Sequence, residues 1–231
     1  IIKLGIPYEF YHIDKRYRIV DDIVLLEGEA LMYTNYWGLQ SDYCLELSVE
    51  YDTQLILDYT QAFYSKPING IDTFEQDVSY TRMDSLLKRI DLSPEEGYDD
   101  FRKCSEMFRT LPIRYMSKFT KRMMASIDYQ DATQKRRRNY EFLHRSLGGQ
   151  KLSPGDVPMI FPYITKAGGG ILRKRLIQNK VFVAKYWPNV DLWAGENATE
   201  TWMANNILPL PIDQRYGLDD MAKINELICH E

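Results

Sequence analysis

The stretch QLILDYTQ, residues 54–61, decides the fold that the sequence predicts. It opens with a short apolar run, residues 54–57, and the acidic residue Asp58 follows directly. Short apolar runs between helical segments are typical of buried strands in a parallel or mixed sheet. Ligands of open α/β sheets bind beyond the carboxyl ends of such strands. Asp58, and Gln61 three residues later, are therefore candidates for a binding site.

A structural role for Asp58 is the alternative that its position leaves open. Aspartate at a strand end often accepts hydrogen bonds from backbone N–H groups of the following turn or helix. A carboxylate beside a buried strand also needs a partner, because burying an unpaired charge is costly. Position alone favours the structural role, so the choice depends on the surrounding residues.

The rest of the chain predicts an α/β protein with strands and helices in alternation. Apolar runs predict further strands at residues 7–13, 22–26, 30–36, 159–163, 181–185 and 207–210. Apolar residues at helical spacing predict helices at residues 39–52, 79–90, 98–111, 115–127, 131–147, 170–179, 199–206 and 218–229.

Composition excludes several classes of protein. With 231 residues, the chain has the length of one large or two small domains. Its net charge of −4 gives no reason to expect nucleic acid as a partner. No apolar run approaches the roughly 18 residues of a membrane-spanning helix, so no membrane partner is expected. The cysteines Cys44, Cys104 and Cys229 are odd in number and scattered, which predicts reduced thiols and a cytoplasmic location.

Two further features have a functional and a structural interpretation. The basic run KRRR, residues 135–138, resembles a nucleic-acid patch, but consecutive helical positions cannot share one face. We expect a solvated helix surface with one arginine turned toward a partner. Trp187 and Trp193 fit either a substrate pocket or core packing. The histidines are dispersed, so no metal site is predicted.

The residues around Asp58 resemble a known family. The segment Asp58-Tyr59-Thr60-Gln61 resembles the Asp-x-x-Gln or Asp-x-x-His segment of DegT-type sugar aminotransferases, which belong to the aspartate-aminotransferase superfamily of pyridoxal-phosphate enzymes. Asn35-Tyr36-Trp37-Gly38 resembles the strand-to-loop segment before that site. Segments similar to the family's small C-terminal domain follow at residues 138–140, 157–158, 172–173, 186–188 and 208–216. The order and spacing of the set support the resemblance more than any single motif.

The resemblance implies a fold and an activity. The fold would be a three-layer pyridoxal-phosphate transferase fold with a mostly parallel sheet. Residues 1–127 would form a partial large cofactor-binding domain, and residues 128–231 a small C-terminal α/β domain that includes the long linking helix. The implied activity is pyridoxal-phosphate-dependent amino transfer from a small-molecule donor to a keto acceptor such as a keto-sugar nucleotide. A homodimer is also implied.

The resemblance assigns roles to two residues. Asp58 would pair with the pyridinium nitrogen of pyridoxal phosphate and keep the ring protonated, so that the ring accepts electrons. Gln61 would contact the phenolic oxygen of the ring. The family's catalytic lysine, which holds the cofactor covalently, has no identifiable counterpart. Lys66 follows Asp58 too closely, and Lys88 falls inside an amphipathic helix, where a salt-bridged surface lysine is expected.

The family's glycine-rich turn, at which a helix N-terminus holds the cofactor phosphate, is also not found. Gly168-Gly169-Gly170 lacks the ending of a phosphate loop and is expected to connect to the next helix. Residues 71–74 resemble the strand that leads to the lysine loop, whereas residues 75–77 resemble the approach to a later helix. We therefore expect that the N-terminal part and a segment between Phe74 and Glu75 are missing from the sequence.

Two alternative functions remain. The first is a non-catalytic relative that serves as a binding or regulatory module. The second is a pyridoxal-phosphate sugar dehydratase, in which histidine replaces the lysine.

Overall fold

The computed structural model describes residues 5–65, 75–112, 114–165, 168–195 and 198–229, and over these ranges the chain is mixed α/β. The strands are β1 (Leu31–Thr34), β2 (Leu55–Asp58), β3 (Phe161–Ile164) and β4 (Ile207–Leu210). The helices are α1 (Ser41–Tyr51), α2 (Asp84–Asp91), α3 (Tyr98–Met107), α4 (Lys118–Ala125), α5 (Tyr129–Leu147), α6 (Gly169–Gln178), α7 (Val190–Trp193), α8 (Thr199–Asn206) and α9 (Leu218–Cys229). Short 3-10 turns lie at Tyr36–Gly38, Asp52–Gln54 and Tyr80–Arg82.

The chain divides into two compact units. The first comprises Ile1–Pro67 and Gln130–Glu231, and the second comprises Ile68–Tyr129. Both sheets belong to the first unit, whereas α2, α3 and α4 belong to the second. The predicted division between residues 127 and 128 adjoins the end of the second unit. The assignment of residues 1–127 and 128–231 to a large and a small domain stays a prediction.

The strand order in the first unit brings the predicted site to a sheet edge. β1 and β2 run parallel, with Leu31 opposite Leu55 and Thr34 opposite Asp58, and α1 connects them. β3 and β4 pair antiparallel. The strands predicted around residues 30–36, 54–57, 159–163 and 207–210 are confirmed, and so are the helices at 199–206 and 218–229.

Two apolar clusters stabilise the first unit. In the smaller one, Leu31 and Tyr33 of β1 pack against Cys44 and Leu47 of α1. The larger one combines α5, α6, α9, β3 and β4, and all four residues of β4 are buried. Tyr140 and Leu143 of α5 point into it at the helical spacing that the sequence predicted.

Three predicted strands are wrong. Residues 7–13 form only an isolated bridge between Ile13 and Ile19, and residues 22–26 pair with no described strand. Val24 is 79% exposed, so the second run is not a buried strand. Residues 181–185 do alternate, with Val181 and Val183 buried and Phe182 exposed, but no described strand pairs with them. An apolar pattern alone does not supply the backbone partner that a strand requires.

The second unit has no buried apolar side chain among its described residues. Its only buried described side chains belong to Ser79, Ser85 and Ser117, and the Oγ atoms of Ser79 and Ser117 lie 2.5 Å apart. Helices α2 and α3 are joined by an ion pair between Lys88 Nζ and Asp100 Oδ2 at 2.5 Å. The prediction of Lys88 as a salt-bridged surface lysine is therefore confirmed.

Candidate functional site

The carboxyl ends of β1 and β2 lie side by side. Thr34 and Asp58 are partners in the sheet register, and the backbone N–H of Asn35 donates to the carbonyl oxygen of Asp58 at 2.9 Å. The loop that follows β1 and the turn that follows β2 therefore start at the same edge. This edge is where ligands of open α/β sheets bind.

The Asp58 carboxylate is held by its own turn. Oδ1 accepts the backbone N–H of Thr60 at 2.8 Å, and Oδ2 lies 3.4 Å from the Thr34 hydroxyl, which donates to it. This is the strand-end turn contact that a structural role predicts. The side chain is half-buried, and each carboxylate oxygen can accept a further hydrogen bond. The turn thus orients Asp58 without using up its capacity to accept.

Gln61 is oriented by the neighbouring loop. Its Oε1 accepts the backbone N–H of Trp37 at 3.2 Å. Because that donor must face the oxygen of the amide, the amide orientation is fixed. The Nε2 group makes no hydrogen bond to the described residues and is free to donate. Asp58 and Gln61 therefore present an acceptor and a donor from one turn.

The loop after β1 has an uncommon backbone conformation, with two consecutive residues at positive φ angles. Asn35 is fully buried, and its Oδ1 accepts the backbone N–H of Gln40 at 3.0 Å. Trp37 and Gly38 have positive φ angles of 60° and 71°. A Cβ on Gly38 would lie 2.9 Å from the carbonyl oxygen of Val157, so only glycine fits without displacement.

Aromatic side chains close the inner side of the loop. The Trp37 ring lies 4.9 Å from the ring of Tyr186 and 4.8 Å from that of Trp187. The gap between Tyr186, Trp187 and β4 has no room for a water molecule. Trp187 thus packs against the core and does not line a substrate pocket at this point. Trp193, in contrast, is 54% exposed, and its ring lies 5.8 Å from that of Phe10.

The hydroxyl groups near the strand ends stay protonated at neutral pH. Burial raises the pKa of Tyr36, and the carboxylates of Glu200 and Asp58 raise it further. Burial likewise raises the pKa of Tyr17 to about 12. The Cys44 thiol also has a pKa of about 12, because it is buried, so it is not a nucleophile. These three groups therefore carry no charge at neutral pH.

The described residues fit one part of a pyridoxal-phosphate site. Asp58 offers an acceptor for a protonated ring nitrogen, and Gln61 offers a donor for a ring oxygen. None of their hydrogen bonds within the described residues involves a lysine. Lys66, residues 71–74 and hence the junction between Phe74 and Glu75 lie outside the described residues.

The glycine run leads into a helix, as expected. Gly168 has a φ angle of 96° and precedes α6, whose first residue, Gly169, donates its N–H to Asn206 Oδ1 at 3.3 Å. That contact ties the start of α6 to the end of α8.

The basic run on α5 turns two arginines inward, not the single one expected. Lys135 pairs with Asp131 at 2.7 Å, and Arg138 is exposed. Arg136 and Arg137 donate to backbone carbonyls that precede β3. The sequence did not indicate these contacts, because a run of cations does not show which members reach a carbonyl.

Asn139 is a further residue that the sequence analysis did not single out beyond its motif. It is fully buried on α5, and its Nδ2 donates to the carbonyl oxygens of Ile212 at 3.2 Å and Tyr216 at 3.0 Å. It thereby fixes the segment that follows β4.

Two properties of the described residues bear on metals and membranes. No group of three or more His, Cys, Asp or Glu side chains is arranged to hold a metal ion. No helix in the described part of the chain has both the length and the apolar character needed to span a bilayer. Comparison with protein-family models finds no matching family, and comparison with curated proteins finds no match either.

Proposed function

We propose that the protein is a pyridoxal-phosphate-dependent aminotransferase of the DegT type, with the three-layer transferase fold of that family. The observation that carries this proposal is the pair of Asp58 and Gln61 at the joint carboxyl end of two parallel strands. The acceptor of Asp58 suits the protonated ring nitrogen of the cofactor, and the donor of Gln61 suits its phenolic oxygen. The keto-sugar acceptor and the homodimer belong to the same proposal and rest on the sequence resemblance.

Each residue would have a defined task. Bound pyridoxal phosphate supplies an electron-accepting ring. Asp58 would accept a hydrogen bond from the protonated ring nitrogen, and the Thr60 N–H holds the Asp58 carboxylate in position. Gln61 would donate from Nε2 to the phenolic oxygen, while the Trp37 N–H holds its amide. Tyr186 and Trp187 exclude water from the inner side of the Trp37 loop.

Asp58→Asn tests the proposal, because asparagine can still accept the Thr60 N–H but has no charge. Asp14→Asn is a matched control: Asp14 is also half-buried, and its Oδ1 accepts the N–H groups of Arg16 and Arg18. Pyridoxal phosphate is titrated into each protein and followed by absorbance and tryptophan fluorescence. We expect Asp58→Asn to weaken binding about tenfold or more, as the loss of a charge-assisted hydrogen bond should. Asp14→Asn should bind like the unaltered protein.

Equal affinities of the two variants, or no saturable binding at all, would end the proposal. A non-catalytic binding module is the second candidate, and it is favoured because the sequence has no identifiable counterpart of the family's catalytic lysine. Borohydride reduction followed by peptide mass spectrometry separates the two. Cofactor trapped on one lysine supports amino transfer, whereas saturable binding with no trapped lysine supports the binding module.

A further inference from the structure

A second feature of the first unit is a cavity of about 430 Å³ between Arg136, near the middle of α5, and the segment after β4. Its volume lies within the range of small-molecule sites. One wall is apolar and contains Phe182, Tyr186 and Pro209. Arg136 and Gln214 supply the polar side of the cavity.

The Arg136 guanidinium is held in place by neutral partners. Its Nε donates to Gln214 Oε1 at 3.0 Å, and its Nη1 donates to the carbonyl oxygens of Pro158 at 3.2 Å and Met159 at 3.1 Å. Its Nη2 makes no hydrogen bond to the described residues. The Tyr64 ring also lies against the group, with its centroid 5.6 Å from the guanidinium carbon. These contacts orient the guanidinium and leave Nη2 as its free donor.

The charge of Arg136 is only partly balanced within the described residues. It forms no close ion pair there. Its charge helps to lower the pKa of Asp213, an acidic residue of the cavity lining, but both carboxylate oxygens of Asp213 are engaged by Arg215. Arg215 Nε lies 2.7 Å from Asp213 Oδ1, and Arg215 Nη2 lies 3.0 Å from Asp213 Oδ2. A half-buried cation without a counter-charge in direct contact is costly unless a ligand or solvent anion neutralises it.

Gln214 adds a second donor. Because its Oε1 accepts from Arg136, its Nε2 points away from the guanidinium, and it makes no hydrogen bond to the described residues. A guanidinium edge and an amide N–H match the two oxygens of a carboxylate. Phe182 is 68% exposed at the rim, which suits stacking on a flat apolar group.

We propose that this cavity binds a small organic anion that carries a carboxylate on a flat apolar group. The carboxylate contacts Arg136 Nη2 and Gln214 Nε2, and the apolar group packs on Phe182 and Tyr186. The site rests on the contacts of Arg136 and does not depend on Asp58, on Gln61 or on a bound cofactor.

Benzoate and benzamide are matched probes, because they share a ring and differ in charge. Each is titrated into the isotope-labelled protein and followed by amide chemical shifts. We expect saturable shifts at Ala184, Tyr186 and Gln214 with benzoate, with a Kd on the order of 1 mM. Benzamide should bind about tenfold more weakly or worse. Equal affinities, or no saturable shift at these positions, would overturn the proposal.

Arg136→Gln and Arg137→Gln form a matched pair of variants. The two arginines are adjacent on α5 and both donate to backbone carbonyls, but Arg137 does not line the cavity. We expect Arg136→Gln to weaken benzoate binding about tenfold and Arg137→Gln to leave it unchanged. The same affinity in both variants contradicts the site.

Phe182→Ala tests the same site if Arg136→Gln does not fold. The Phe182 side chain is exposed and is not part of the core, so we expect this variant to fold. This variant should weaken benzoate several-fold, and inorganic phosphate, which has no apolar group, should bind it as it binds the unaltered protein. Unchanged benzoate affinity would show that the ring does not lie where we place it.

Discussion

The backbone N–H of Trp37 donates a hydrogen bond to Oε1 of Gln61 at 3.2 Å. This bond joins the loop after β1 to the turn after β2, over a separation of 24 residues. Trp37 is fully buried, so water cannot replace Gln61 as the acceptor for its N–H group. The contact therefore stabilises the fold and, at the same time, determines which end of the Gln61 amide is available to a ligand.

Gln61→Ala should lower the free energy of unfolding by about 1–2 kcal/mol, because it leaves a buried N–H without a partner. Gln54→Ala is the control. The half-buried Gln54 donates to the carbonyl oxygens of Leu26 and Glu29 in solvent-exposed hydrogen bonds, and its loss should cost less than about 0.5 kcal/mol. Urea unfolding of both variants measures the difference. Equal losses would mean that the Trp37 N–H finds another acceptor.

Gly38 and Gly28 make a second matched pair. Both have positive φ angles, 71° and 87°, so alanine at either position adopts a strained backbone, at about 1–2 kcal/mol. A Cβ meets no atom within 4 Å at Gly28, but it would lie 2.9 Å from the Val157 carbonyl oxygen at Gly38. Gly38→Ala should therefore lower the unfolding free energy by at least about 1 kcal/mol more than Gly28→Ala. Equal losses of unfolding free energy in the two variants would mean that the Val157 carbonyl oxygen does not lie close to Gly38.

The sequence predicts elements better than it predicts pairing. The run at residues 54–57 became β2 because β1 lies beside it in register, whereas residues 181–185 alternate equally well and find no described partner. Periodicity reports which side chains are buried, but a strand also needs a neighbour for its N–H and C=O groups. In α1, Leu45 and Val49 lie one helical turn apart and are both exposed, whereas Cys44 and Leu47 are buried.

The sequence predicts the side chains of the candidate site, but not the backbone groups that orient them. Asp58 and Gln61 were predicted from a short motif at a strand end, and the structure brings them to a parallel sheet edge. The residues that orient them, Trp37 and Thr60, act through backbone N–H groups. Any residue type except proline carries such a group, so the amino-acid sequence holds no signal for this part of the site.

Asn139 offers a test of how the segment after β4 is held. Asn139→Ala removes a buried donor that serves the carbonyl oxygens of Ile212 and Tyr216, and it should lower the unfolding free energy by about 2–3 kcal/mol. Asn179→Ala is the control. Asn179 is exposed at the C-terminal end of α6, and its side chain donates only to the carbonyl oxygen of Arg175 in that helix. Its loss should stay below about 0.5 kcal/mol. Equal effects in urea unfolding would contradict the buried role of Asn139.

Asp156 makes the stability of the protein depend on pH. The residue is fully buried, and Oδ1 has no hydrogen-bond partner among the described residues, whereas Oδ2 accepts the N–H of Ser153 at 2.9 Å. Burial raises the pKa of this carboxyl, and the charge of Asp42 raises it further, against the opposing effects of the Ser153 N–H, the Ser41 hydroxyl and the charge of Arg137. The folded protein therefore holds this proton more tightly than the unfolded chain does. The corresponding stability is fully present below the ordinary pKa of about 3.8 and is lost as pH rises through the raised value.

Asp156→Asn removes this titration and retains an acceptor for the Ser153 N–H. Relative to the unaltered protein, the variant should therefore gain stability as pH rises above about 3.8, as measured by urea unfolding at several pH values. Asp191→Asn should show the opposite slope, because the Lys185 ammonium lowers the pKa of Asp191 and that contribution is lost as pH falls. A flat difference for Asp156→Asn would mean that its carboxyl titrates in the folded state as it does in the unfolded chain. A slope of the same sign for both variants would mean that net charge, and not the two local environments, sets the pH dependence.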